Sequence, residues 1–468
     1  MITTVSNQTG VSKQKGVSRK SRSYGEVVEF LDSLKAYEYG AASVERTKAL
    51  DKLFDYPSQK INTILVGGTN GKSSTIHFGA KLLKEEGLKV GTLFSSHFLT
   101  YNERFMLDFQ TISNKAFADV VNEVVNAAEI NDIKATAFEM LVISSLLYFK
   151  AEKADVVLLE VGCGGRLDAT TVCNPKIAAV TRIAEDHTDL LGKDLDEVAF
   201  EMMGIAQPNC WFISAEQSKL RLQKMKVWAE AREINWAMPI RKLASLPYIF
   251  EQLYGRPGSL GERIAQVYVE GVCGKFSPFL RGNLLATQQG QRGRPTLEAK
   301  RQAELNPIKT LKAFWADEFS LLRGRFEILD REKPTMLLDN ARNVDAFTNL
   351  FLGIRLLHYQ RPLKGLALIV GLNKDINYVE AIKLIRYLLK KISGTVYFVP
   401  LQNQQGHNLQ EVMGVSKEMG LKAKSCSSFA QAFELAKSSV DERHGLICVT
   451  GEASVIQDYW QYRGMKKI

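Results

Sequence analysis

The sequence predicts an α/β protein of two successive units, each a mainly parallel sheet with helices packed on it. The first sign is local. Thr63 to Val66 is a β-branched apolar run, followed by Gly67, Gly68 and Gly71 and by a helical pattern over 76–86 with Ile76, Ala80 and Leu83 on one face. Strand, glycine turn and helix start in that order are the setting of a phosphate-binding loop. The second sign is the alternation of short apolar runs and helical patterns up to residue 215, the rhythm of βαβ units. The third is that the alternation resumes from Gly324 over about one further domain length. These observations divide the chain into a basic tail at 1–24, a first unit at 25–323 and a smaller second unit at 324–468.

In chain order, residues 1–24 hold Lys13, Lys15, Arg19, Lys20 and Arg22 and no acid, so they read as a disordered tail or a transit peptide. Helices are expected over 27–36 and 43–54, and a strand over 89–95 follows the phosphate loop and its helix. A polar, aromatic loop at 97–104 precedes helices at 116–128 and 138–149. Ala154 to Gly162 is a buried-type strand containing Glu160, and the strand at 176–183 runs into Glu185-Asp186-His187. A parallel sheet builds its sites at the carboxyl ends of its strands, so Glu160 and His187 are placed to face a nucleotide's metal. A helix at 195–205 and a strand at 210–215 follow, and residues 256–307 read as a loop or peripheral sheet. In the second unit, strands are expected at 335–338, 365–370, 395–399 and 445–449, with helices at 344–356 and 379–391 between them.

The composition sets bounds. At 468 residues the chain exceeds one ordinary core, and 45% hydrophobic with 24% charged residues is that of a globular protein. No apolar stretch is long enough to span a bilayer. The six cysteines are scattered without a C-x-x-C pair, which points to reduced thiols in a cytoplasmic setting; the basic tail leaves organellar import open. A net charge of +10 without any nucleic-acid-binding module suits a small anionic substrate or a solvated basic surface.

The chemistry centres on Gly68, Thr69, Asn70, Gly71, Lys72, Ser73 and Ser74. Glycines let several backbone N–H groups point at one anion, the helix N-terminus adds partial positive charge, the lysine reaches a terminal phosphate, and a hydroxyl can hold Mg²⁺. The strict loop spacing asks for glycine at 66, where Val66 stands, so this is a variant loop. Together with G-T-N-G-K (68–72), the segments T-A-F-E (136–139), E-V-G-C-G-G-R-L-D-A-T (160–170), D-H-T-D-L-L-G (186–192), Q-A-E-L-N (302–306), G-R-F-E (324–327), Asp339 to Asn343 and N-K-D (373–375) stand in one order. From about Tyr24 onward the chain resembles the folylpolyglutamate synthase/dihydrofolate synthase branch of the Mur ligases.

That resemblance implies a P-loop ATPase-like parallel-sheet domain followed by a Rossmann-like α/β domain. It implies an ATP- and Mg²⁺-dependent ligase that joins L-glutamate to a folate or dihydropteroate carboxylate through an acyl phosphate. By the family pattern, Gly68 to Ser74 cradle ATP, with Asn306, Arg325 and Asp339 meeting it from the far side. Ser73, Ser95 and Glu160 hold a first Mg²⁺ and His187 a second. Thr136, Phe138, Gly165, Arg166 and Asp168 contact the folate. Lys72, His187, Arg325 and Asp339 carry the catalysis. The partners are small molecules, with no nucleic acid or membrane, acting on a monomer.

Four departures from the pattern stand out. E-M-M-G-I (201–205) puts Met202 where the family has a lysine that is carbamylated to support the second metal. A thioether is a poor ligand for Mg²⁺; Glu185 is the nearest substitute, and Met202→Lys should raise activity if the missing acid is limiting. Arg342 replaces a histidine and Val344 a proline; Arg342 still suits a phosphate but cannot act as a base. Ser96 stands for a proline and Ser73 for a glycine. Against the ligase stand two alternatives, a catalytically weakened nucleotide- and folate-binding homologue and a Mur-type ligase for another acid and amine.

Overall fold

The computed structural model describes residues 19–237, 246, 248–275, 323–401 and 406–465. The chain is anchored earlier than the expected tail boundary at 24. Arg22 donates to Glu129 at 2.8 Å and to Asn122 at 3.0 Å, fastening residues 20–23 to α4 (Asn114–Ile130). Ser23 then closes a capping box with Glu26 and starts α1 (Tyr24–Ser33), satisfying backbone donors that a bare helix end would leave open.

The first sheet contains β1 (Thr63–Gly67), β2 (Val90–Leu93), β3 (Phe105–Leu107), β4 (Gln110–Thr111), β5 (Val156–Glu160), β6 (Pro175–Val180), β7 (Trp211–Ser214) and β8 (Asn235–Trp236). Its order is β4-β3-β2-β5-β1-β6-β7-β8, parallel except where β3 and β4 extend one edge. The chain leaves β1 for β2 on one side and later returns to β6 on the other. The loop after β1 therefore sits at the point where strand order reverses, where such sheets bind ligands. Around the sheet lie α2 (Ala41–Leu53), α3 (Lys72–Glu85), α5 (Ala137–Ala151), α6 (Thr188–Leu191), α7 (Leu195–Met203) and α8 (Lys219–Glu230). β1 and β5 are buried along their whole length, as their unbroken apolar runs require.

One expectation is overturned. Tyr248–Gln266 is α9, continued by a π-helical turn at Val267–Val272, so residues 256–272 are neither loop nor sheet; residues 276–307 lie outside the described residues. Gly255, Pro257, Gly258 and Gly261 lower intrinsic helix propensity. They are tolerated because α9 crosses α3 backbone to backbone. A Cβ on Gly261 would come within 2.8 Å of Gly79 N and 2.9 Å of Phe78 Cβ.

The second sheet contains β9 (Glu327–Leu329), β10 (Thr335–Asp339), β11 (Leu366–Gly371), β12 (Gly394–Phe398), β13 (Ala423–Ser425) and β14 (Leu446–Gly451), in the order β13-β12-β11-β14-β10-β9. All pairs are parallel except β9 with β10. Its helices are α10 (Val344–Gln360), α11 (Tyr378–Lys391), α12 (Leu409–Glu418), α13 (Phe429–Ser439) and α14 (Ala453–Tyr462). One apolar cluster runs from α3 and α9 through Phe326 into α10, joining Leu253 and Tyr254 to Phe347 and Phe351. The two units thus share buried surface beside the phosphate loop.

Candidate active site

A cavity of about 1060 Å³ opens between the two sheets, over the carboxyl end of β1. Two glycines shape its floor. Gly68 has φ +120° and passes so close to β6 that a Cβ would meet Thr181 N at 2.8 Å, and Gly71, at φ +92°, is the residue before α3. Both lie in the left-handed region that favours glycine. Thr69 braces the turn, its hydroxyl donating to Ala184 O and accepting from Ala184 N.

Lys72 is the first residue of α3, and its Nζ donates to Gly68 O at 2.8 Å and to Thr69 O at 3.3 Å. Burial lowers its pKa while the Glu160 carboxylate opposes the shift, so an anion arriving here would relieve a desolvated charge. Ser73 Oγ donates to both oxygens of Glu160 at 3.0 and 3.1 Å, and Ser95 N donates to Glu160 Oε2 at 3.3 Å. Glu160 is 3% exposed at the end of β5. Ser74 also lines the cavity.

From the second unit, Arg325 Nη2 donates to Ser73 Oγ at 3.3 Å while Nη1 donates to Asn340 Oδ1. Its guanidinium lies over the Phe98 ring, 5.7 Å from the centroid. Asp339, ending β10, accepts from Phe326 N at 2.7 Å and thereby fixes the turn that carries Arg325. Burial pushes its carboxyl up to about 6, against the opposing pull of that N–H and of Arg325. His187, at φ +47°, lines the cavity with Nε2 4.0 Å from Asp186 Oδ1.

The units are latched at the same place. Asn70 Nδ2 donates to Asn343 Oδ1 at 3.0 Å and to Asp345 Oδ2 at 2.8 Å, Asn343 Nδ2 donates to Asp186 at 3.1 Å, and Arg182 pairs with Asp345 at 2.7 Å. Arg182 and Asp345 escaped the sequence reading. The position of Arg182 just past β6, at a strand's carboxyl end, was the available signal; Asp345 gave none beyond its place in a helix's first turn.

The expected folate contacts divide. Phe138 lines the cavity with Tyr37, their ring centroids 5.5 Å apart. Thr136, Gly165, Arg166 and Asp168 do not line it. Thr136 caps α5 in a capping box with Glu139. Gly165 packs on α7, where a Cβ would meet Glu201 O at 2.5 Å. Arg166 pairs with Glu201 at 2.8 Å on the outer side. Asp168 is fully buried and accepts from the Tyr37 hydroxyl, Gly162 N and Thr170 N. These residues build the loop that presents Phe138 and Cys163; they do not face its contents. Asn306 lies outside the described residues.

The metal question turns on the donor set. Among the described residues there is no cluster of three or more His, Cys, Asp or Glu. Mg²⁺ needs none, since it is held by one or two carboxylates together with substrate phosphates and water. Glu160 and the Ser73 hydroxyl are hard oxygen donors beside the phosphate loop, and they fit. Met202 is 1% exposed within the apolar cluster of α5 and α7, and Glu185 is on the surface; neither lines the cavity. The suggested substitution of Glu185 for a missing ligand is therefore not supported.

Residues 66–209 match the model of the Mur ligase middle domain. The dihydrofolate synthase/folylpolyglutamate synthase of Bacillus subtilis is 30% identical over 320 residues, covering 65% of this chain and 70% of that protein. That of Escherichia coli is 28% identical over 390 residues, covering 82% of each. Among solved structures, Mycobacterium tuberculosis folylpolyglutamate synthase complexed with ADP superposes with a TM-score of 0.73 at 19% identity, covering 95% of this chain and 98% of that one. The shared fold, the phosphate loop under the cavity and the extent of the Bacillus subtilis match lead to one conclusion: the chain belongs to the dihydrofolate synthase/folylpolyglutamate synthase family.

Proposed function

We propose that this protein is an ATP-dependent ligase that joins L-glutamate to the carboxylate of a folate or dihydropteroate through an acyl phosphate. The observation that carries it is the reach of Arg325 from the second unit to Ser73, whose hydroxyl donates to Glu160. This joins a phosphate loop, a metal-binding acid and a cation from the opposite wall in one polar cluster.

A carboxylate does not accept an amine in water, because its leaving group would be oxide. Phosphorylation turns that oxygen into a leaving group, and the glutamate amine then attacks the acyl carbon. The protein must neutralise the transferring phosphoryl group and hold the acceptor in line. Lys72 and the loop N–H groups meet the phosphates from below, and Arg325 offers its fork from the facing unit. Glu160 and Ser73 would hold Mg²⁺, which would supply charge neutralisation at the phosphates. His187 lines the same cavity and would help hold a second ion. Asp339 acts by positioning Arg325. Tyr37 and Phe138 offer an aromatic wall to a flat pterin ring. In this reading residues 25–323 bind ATP and the folate, residues 324–468 complete the site, and the enzyme works as a cytoplasmic monomer on small molecules.

The test is ADP release from Mg²⁺–ATP with L-glutamate, with and without dihydropteroate or tetrahydrofolate. Release that requires both glutamate and the pterin is expected. A nucleotide- and folate-binding homologue with weakened turnover is favoured by the burial of Met202, which leaves no acid at that place. ATP binding without ADP release would decide for it.

A further inference from the structure

Arg342 is one of the cavity's cations without a task in the reading above. Arg342 lies in the turn between β10 and α10, is exposed, and lines the cavity. Its neighbour Asn343 is 5% exposed, caps α10 through Ala346 N, and is bonded to both Asn70 and Asp186. The backbone beside Arg342 is thereby fastened to the phosphate loop two residues before Lys72. Among the described residues no carboxylate pairs with Arg342, whereas Arg182 has Asp345 and Arg325 has Asn340 and Ser73. Arg342 and Lys72 line the same cavity. Two cations facing one cavity repel unless an anion lies between them.

We propose that Arg342 is a catalytic residue of the phosphoryl-transfer step, a guanidinium delivered by the second unit onto the γ-phosphoryl group opposite Lys72. This rests on the ligase reading. In that step the substrate carboxylate oxygen forms a bond to the γ-phosphorus as the bond to the β–γ bridging oxygen breaks. The electron pair stays on ADP, and neither a proton nor a redox equivalent is required. Negative charge spreads over the equatorial oxygens at the transition state, where a planar fork of N–H donors binds two of them at once. Asn343 is the positioning residue, because it sets where the Arg342 backbone sits above the loop.

The experiment measures binding of Mg²⁺–ADP, with and without aluminium fluoride as a mimic of the transferring group, to the full chain by calorimetry. For R342A we expect ADP affinity within about threefold of the wild type and the aluminium fluoride complex weakened by about 10²-fold. R342K should fall between, since it keeps the charge and loses the fork. N343A should weaken the same complex through misplacement. Arg342 is exposed, so an unchanged urea midpoint is expected to accompany the R342A loss. Equal weakening of both ligands, or of neither, would overturn the proposal. Wild-type protein that fails to bind Mg²⁺–ADP at all would overturn the ligase reading itself.

Discussion

Replacing Gly68 with alanine tests the floor of the site most directly. At φ +120° the backbone conformation is one that L side chains rarely adopt, and the new Cβ would lie 2.0 Å from Thr181 Oγ1 and 2.8 Å from Thr181 N. The hydroxyl could turn away, but the backbone nitrogen could not, because Thr181 N donates to Gly67 O at 2.9 Å and so ends the β1–β6 ladder. Left-handed strain costs about 1–2 kcal/mol and overpacking against fixed backbone about 1–3 kcal/mol, so G68A should lose about 2–5 kcal/mol. Gly87 provides the control, with φ +83° and nothing within 4 Å of a Cβ; G87A should cost only the strain, about 1–2 kcal/mol. Urea unfolding of both variants reads the difference, and ADP titration should show at least about tenfold weaker binding for G68A alone. Equal losses in the two variants, with equal ADP affinity, would refute the argument that close approach to β6 fixes the loop.

Other perturbations separate the remaining roles. Asp339 is raised to about 6 from an ordinary 3.8, so the folded chain takes up a proton there. The stability contributed by the neutral carboxyl is fully present below the unfolded value and lost as pH rises through about 6, up to about 3 kcal/mol. D339N should therefore lose less stability than the wild type between pH 4 and 7, and identical pH profiles would count against it. Glu160→Gln keeps an acceptor for Ser73 and Ser95 but removes the charge, so it should raise the Mg²⁺ concentration needed for ADP binding by at least about tenfold; an unchanged Mg²⁺ dependence would remove Glu160 from the metal site. Met202→Lys would bury an ammonium in the apolar cluster, and we expect about 3 kcal/mol or more of lost stability and no gain in rate; a faster enzyme would show that the side chain reaches the site. Asp168→Ala should cost about 3 kcal/mol or more, leaving Tyr37 and three loop N–H groups without their acceptor. Arg166→Ala should stay within about 1 kcal/mol; comparable losses would reverse their assigned roles.

The sequence by itself determined what is local or repetitive. The phosphate loop was legible because its chemistry lies in consecutive residues, Gly68 to Ser74. Glu160 and His187 were legible because a parallel sheet brings its strand ends to one edge. The alternation that marks the two sheets was legible for the same reason, since the buried face of each strand and helix leaves its period in the chain. The tertiary structure decided the rest. α9 carries glycines and a proline that speak against a helix, and only its crossing with α3 at Gly79 and Gly261 makes one there. The motif 164–168 announced a substrate loop, yet Asp168 and Arg166 turn to Tyr37 and Glu201 and leave the cavity to Phe138. Met202 stands where the family has a metal-supporting lysine, and only the structure shows that this position is buried in the core. Arg182 meets Asp345, and Asn70 meets Asn343, across more than 150 residues of chain. Such pairs leave no period and no local spacing, because they exist only once two folded sheets have docked.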